Sequence, residues 1–284
     1  MSDPSNPLSL RFYDNLADRI RQHRQADTRP IVIVEGPTDE DLLVDTFGEM
    51  WVYFSAAGRP NALEAIKATT QAGVRNVFCV VDRDFDEDVS ACERAGIPIV
   101  AYRNADMEAM LATEDTLKVV LRSFGREGVE ELDLAAILDH VAELTQPISR
   151  LRRANHLNGW GLNFDETEPA DKIDQRTLVF NIVGYCQALS RASNDPPDLA
   201  TLISVASGKT AIRMPSCPHG VKYYFNGKDF AAILGVFLRK KLGALSKSQT
   251  ERRHVSAIVR SSASGRVRKD PWAAQVEQIV GPAF

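Results

Sequence analysis

Two short stretches concentrate the residues able to do chemistry. In IVIVEGPTDEDLL, Ile31 to Leu43, four β-branched residues run straight into the carboxylate of Glu35. A Gly-Pro step follows, with Asp39, Glu40 and Asp41 close behind. In VFCVVDRDFDEDV, Val77 to Val89, a second apolar run ends in Asp82, Asp84 and Asp86. A carboxylate closing an apolar strand is costly without a partner. Alternate residues of an extended segment point the same way, so Asp82, Asp84 and Asp86 share a face. Carboxylates gathered at one place repel each other unless a cation lies among them, and an oxygen-only set suits Mg²⁺ or Mn²⁺. The plainer readings are an acidic surface loop for the second stretch. For Asp39, Glu40 and Asp41 the plainer reading is attraction to a helix N-terminus, worth about 0.3–1 kcal/mol.

Three other motifs fit less well. Asp82, Asp84, Asp86 and Glu93 fall at positions 1, 3, 5 and 12 of a calcium-binding helix–loop–helix, but position 6 is Glu87 instead of Gly and the entering segment reads as strand. A phosphatase of the haloacid-dehalogenase type also places Asp-x-Asp after an apolar strand, but continues with Thr or Val where Asp86 stands. Ser207-Gly208-Lys209-Thr210 resembles the end of a phosphate-binding loop, but position 203 is Ile instead of Gly.

The elements that must position these acids follow from hydrophobic spacing. Residues 8–25 carry Leu8, Phe12, Leu16 and Ile20 on one stripe of an amphipathic helix. Ile31–Val34, Trp51–Phe54, Val77–Val81 and Ile97–Tyr102 read as strands. Between them, helices are expected from Thr38, as N-cap with Asp41 at the capping-box position, to Phe47, near 62–72, and over 89–95; a further one follows at 105–111. Alternation of this kind predicts a parallel sheet covered by helices, with strand carboxyl ends sharing one ligand-binding edge. Glu35 and Asp82 are thus expected to meet there, 47 positions apart in sequence. Beyond about residue 113 helices are expected at 114–124, 129–144, 171–192 and 229–241. Short strands are expected at 201–206 and 221–225, and NDPPD (194–198) is a loop.

A chain of 284 residues, 44% hydrophobic and 25% charged, suits a globular fold. No apolar run approaches the ~20 residues that span a bilayer. The first residues lack the pattern of a secretory signal, so a cytoplasmic location without membrane contact is expected. Cys79, Cys92, Cys186 and Cys217 form no Cys-x-x-Cys pair, and Cys217 with His219 would be half a zinc site without a second half; free thiols are expected. The net charge of −4 hides an asymmetry: from Lys209 to Asp270 fourteen Lys and Arg face three Asp and Glu. Such a segment attracts phosphate backbones by counterion release, Arg252, Arg253, Arg266, Arg268 and Lys269 being the candidates. It would equally suit a solvated surface or an acidic partner.

Both acidic stretches together resemble a TOPRIM domain: Val34, Glu35, Gly36 and Asp39 match its V-E-G-x-x-D, and Asp82-Arg83-Asp84 its later D-x-D. The resemblance covers about residues 28–115, between an N-terminal helix (1–27) and a mostly helical, partly basic C-terminal region (116–284). It implies an α/β, Rossmann-like parallel sheet with flanking helices. A narrower resemblance is to the OLD-like nucleases and, within them, to the nuclease effector subunits of PARIS anti-phage defence systems. NADMEAML (104–111) stands where that group has an acidic motif, with Glu108 at the acid, although Met107 and Ala109 depart from the usual residues. FNGKDFAAIL (225–234) matches its Gly-Lys-acid helix start, with Lys228 as the lysine.

The resemblance implies a Mg²⁺- or Mn²⁺-dependent nuclease in which Glu35, Asp39, Asp82, Asp84 and Glu108 hold metal. Glu35 would bind metal or act as general base, and Lys228 would steady charge on the phosphate or leaving oxygen. It further implies tRNA as substrate class, an AAA/ABC-type ATPase partner that restrains the effector, and a homodimer when active. DNA cleavage, as in OLD proteins, and a non-catalytic scaffold of an ATPase complex stand as alternatives; no ATPase motif occurs in this chain.

Overall fold

In the computed structural model, residues 15–85, 87–125, 127–215, 222–242, 245–263 and 265–280 are described, the side chain of Leu242 excepted. Asp86, Cys217, His219, Leu8 and Phe12 therefore lie outside the described residues. The chain divides into two compact units, one from residues 1–102 with 264–284, the other from residues 103–263. This division falls earlier than the expected limit at 115 and returns the last segment to the first unit.

The first unit is an α/β layer structure. Strands β1 (Ile31–Val34), β2 (Val52–Ser55), β3 (Val77–Val81) and β4 (Ile99–Ala101) form one sheet in the order β2-β1-β3-β4. All three pairings are parallel, with Ile33 opposite both Phe54 and Cys79, and Cys79 opposite Ile99. The connecting helices are α2 (Pro37–Phe47), α3 (Arg59–Gln71) and α4 (Glu87–Arg94), preceded by α1 (Leu16–Ala26). Ile31, Ile33, Val77, Cys79, Val81, Ile99 and Ala101 build one core with Ile20, Ile66 and Cys92 from the helices. Val32, Val34, Val80 and Val100, of the opposite parity, are also buried, so both faces are covered. Helix α12 (Pro271–Val280) belongs to this unit; Trp272 is fully buried and donates its indole N–H to the Ala101 carbonyl at 3.1 Å.

The second unit is helical: α5 (Met107–Leu111), α6 (Glu114–Ser123), α7 (Leu134–Asn158), α8 (Ile182–Ala192), α9 (Leu199–Ala206), α10 (Gly227–Leu242) and α11 (Arg252–Ala263). Helix α10 is its centre, buried continuously from Asp229 to Leu238 and packed against α5, α7 and α11. Gly235 is required there, because a Cβ would stand 2.1 Å from the Thr250 carbonyl oxygen.

Several expectations need correction. Helix α2 is capped by Gly36 with Pro37 first, and Asp39, not Asp41, returns the capping hydrogen bond, to Gly36 N–H at 3.0 Å. The predicted strand over 201–206 is helix α9: the Asp198 carboxylate caps the Thr201 N–H at 2.8 Å, and that cap outweighs the β-branched composition. Residues 222–226 form no strand. Helix α7 starts at Leu134, where Asp133 caps it, and runs on to Gly159, whose φ of +64° ends it. The helix expected over 171–192 breaks at Asp174, whose carboxylate takes the N–H groups of Arg176 and Thr177 to make a turn. Asn181 then caps a fresh start for α8.

Candidate functional site

The chain leaves β1 for β2 on one side and returns past it to β3 on the other. The crevice beyond the carboxyl ends of β1 and β3 is therefore the switch point of the sheet, where open parallel sheets hold their ligands. Glu35 and Asp82 are the first residues past those two ends. The Glu35 carboxylate accepts the Asp82 N–H at 2.9 Å, so the meeting expected from sequence occurs. The Glu35 carbonyl accepts the Gly58 N–H at 2.7 Å, which ties the start of α3 to the same edge.

Glu35 is half-buried, and burial pushes its pKa up to about 7. The Asp82 N–H and Arg59 pull it down, and the negative charges of Asp39 and Asp84 push it further up. Asp39 is buried, with one carboxylate oxygen on the Gly36 N–H and the other accepting the Tyr102 hydroxyl at 2.7 Å. Tyr102 is itself fully buried, its ring 5.0 Å from that of Trp272. Asp84 adopts a φ of +46°, and its carboxylate is held by Arg59 at 2.6 Å. The same guanidinium nitrogen donates to the Asp82 carbonyl, and the other terminal nitrogen stands 3.6 Å from Asp88. Arg59, Tyr102 and Trp272 were not singled out from sequence. An arginine in the first turn of a helix, against the helix dipole, was the available signal for Arg59.

In the second unit, Asn104 and Asp106 clamp an extended segment of backbone. Asn104 donates to the Tyr223 carbonyl at 3.1 Å and accepts the Phe225 N–H at 3.1 Å. The Asp106 carboxylate accepts the Gly227 N–H with both oxygens, at 3.0 and 2.8 Å, and also caps α5 through the Ala109 N–H. Burial and the neighbouring Glu108 push Asp106 up to about 7. Gly227 admits no side chain, since a Cβ would lie 2.4 Å from the Glu108 Cβ. This clamp sets the start of α10 and so the exposed Lys228. Glu108 is paired with Arg260 at 2.5 Å. Asp229, one residue past the lysine, is buried in a two-pronged pair with Arg152, at 2.7 and 2.9 Å.

The acids thus fall in two groups: Glu35, Asp39, Asp82 and Asp84 in the first unit, Glu108 with Lys228 in the second. The basic candidates divide likewise. Arg252 and Arg253 open α11, where Arg253 stands 3.4 Å from Glu251. Arg266, Arg268 and Lys269 are exposed in or beside a 3₁₀ turn of the first unit, where Arg268 stands 3.7 Å from Glu277. Among the described residues, no group of three or more His, Cys, Asp or Glu side chains is arranged to grip a metal ion. No described helix is long and apolar enough to cross a membrane. Compared with known protein families the chain matches none, and among curated proteins it finds no match either.

Proposed function

We propose that the chain is a divalent-metal-dependent nuclease of the TOPRIM type, with the β1–β3 edge as its active site. The observation that carries this reading is the contact of Glu35 with Asp82 at the switch point of an all-parallel sheet. Glu35, Asp82 and Asp84 are oxygen donors of the kind Mg²⁺ and Mn²⁺ select; burial first, and then the charges of Asp39 and Asp84, disfavour the ionised form of Glu35, and a cation would favour it. Asp39 supports that edge through Gly36 and Tyr102. A bound Mg²⁺ or Mn²⁺ would neutralise a scissile phosphodiester and lower the pKa of an attacking water. Glu35 is placed either to hold that ion or to take the proton from the nucleophile at its carboxylate. Lys228, for which the resemblance implies a phosphate contact, belongs to the second unit.

The resemblance supplies the rest of the proposal: tRNA as substrate, an AAA/ABC-type ATPase as restraining partner, a homodimer as the active form, and a role in anti-phage defence. The test is incubation of the purified protein and its Glu35→Gln variant with tRNA and with plasmid DNA, in Mg²⁺, Mn²⁺ or chelator. Metal-dependent tRNA cleavage, lost in the variant, is the expected result. Cleavage of plasmid alone would favour the OLD-like DNA endonuclease. A second reading, the non-catalytic scaffold of an ATPase complex, draws on the lack of a converged three-ligand cluster among the described residues. Absence of both cleavage and metal binding would establish it over the first.

A further inference from the structure

Arg59 sits where three locally unfavourable features coincide. It occupies the first turn of α3, where the helix dipole repels a cation. Its side chain is only 13% exposed, and its Nε is buried with no hydrogen-bond partner among the described residues. Its main partner, Asp84, holds a left-handed φ of +46°, uncommon outside glycine. Local rules broken together at one place point to a functional constraint. What the arrangement achieves is specific: one guanidinium nitrogen bridges the Asp82 carbonyl and the Asp84 carboxylate. The Gly58 N–H bond to the Glu35 carbonyl fixes the helix start that carries it.

We infer that Arg59 is an internal counter-cation that competes with a divalent metal ion for the oxygens of the β1–β3 edge, and so sets the metal concentration at which the site fills. The inference rests on the proposed metal-dependent reading and deepens it. A metal approaching Asp82 and Asp84 must displace the guanidinium from Asp84 or share that carboxylate with it. Asp84 is half-exposed, and Asp88, 3.6 Å from the second guanidinium nitrogen, is a second carboxylate within reach of Arg59. Arg59 thus acts through the acids instead of on the substrate, as a positioning residue.

Calorimetric titration of Mn²⁺ into the wild type, Arg59→Gln and Arg59→Lys tests this, with Glu35→Gln/Arg59→Gln as a control for the location of the ion. A guanidinium held against the same oxygens repels a divalent ion, so Arg59→Gln is expected to tighten Mn²⁺ binding by roughly tenfold or more. The double variant should lose the gain. Arg59→Lys keeps the charge on a side chain one atom shorter and without the second terminal nitrogen that stands near Asp88, so it should fall in between, which keeps the inference testable should the Gln variant not fold. Wild-type Mn²⁺ binding that is unchanged or weakened in both variants would overturn the role of Arg59 and leave the metal site standing. No Mn²⁺ binding by any of the proteins would overturn both.

Discussion

At the scale of single residues, the edge of the sheet is governed by Glu35. Its carboxylate is raised to about 7 from an ordinary value near 4.5, chiefly by burial. The sign of the consequence follows from linkage: the folded state holds the Glu35 proton more tightly than the unfolded chain. Its contribution to stability is therefore fully present below about 4.5 and is lost as pH rises through about 7. In chelator, the melting temperature of the wild type should fall between pH 5 and 8 by the equivalent of about 2 kcal/mol. Glu35→Gln, which can still accept the Asp82 N–H, should reduce that slope and leave the share of buried Asp106, which is likewise raised to about 7; equal slopes in the two proteins would refute the assignment. Asp39 shows how one residue serves two ends. It was expected both as a possible ligand and as a helix N-terminal acid, and its oxygens are taken by the Gly36 N–H and the Tyr102 hydroxyl. The partner that decides between those readings lies 63 positions away, beyond the reach of any local pattern.

At the scale of elements, the sharpest feature is the meeting of the Asn104–Asp106 clamp with the start of α10. Three alternate residues, Tyr223, Phe225 and Gly227, present backbone groups to two buried side chains. Gly227→Ala would drive a methyl group into Glu108, Asp106 and the Ala109 N–H at 2.4, 2.5 and 2.7 Å. Overpacking of this kind costs about 1–3 kcal/mol, and losing the Asp106 hydrogen bonds adds to it. A urea titration should show the loss as a lower midpoint with little change in slope. Glycine is required here by close approach, so the Gly-Lys-Asp motif reads first as a packing joint that holds Lys228 in place. The same scale explains the strand misassigned at 201–206: Thr201, Ile203 and Val205 are β-branched, yet the Asp198 cap and packing of α9 against α7 and α8 make a helix of them.

For the whole molecule, the unexpected feature is the path of the chain. The first unit is discontinuous, completed by residues after 263. Trp272 is fully buried there, bonded to the carbonyl that ends β4 and with its ring tilted at 31° against that of Tyr102, which in turn holds Asp39. Trp272→Ala should cost about 3–5 kcal/mol in chemical denaturation. It should also weaken Mn²⁺ binding at the β1–β3 edge, because Tyr102 loses its support; a variant destabilised but unchanged in metal affinity would separate the two effects. The basic run that looks continuous in sequence is divided by this path, with Arg252 and Arg253 in one unit and Arg266, Arg268 and Lys269 in the other.

The parallel βα pattern, the ends of β1 and β3, and the meeting of Glu35 with Asp82 could all be read from residue order. Each depends on short-range periodicity, and parallel pairing then brings strand ends to one edge whatever the separation in sequence. The strand order that makes that edge the switch point needed tertiary contacts. So did the guanidinium that Arg59 lays across the acids, the Tyr102–Trp272 support and the allotment of the last helix. The physical reason is range. Caps and periodicity act within a few residues, whereas a buried charge or ring finds its partner by packing, among groups that any distance along the chain can supply.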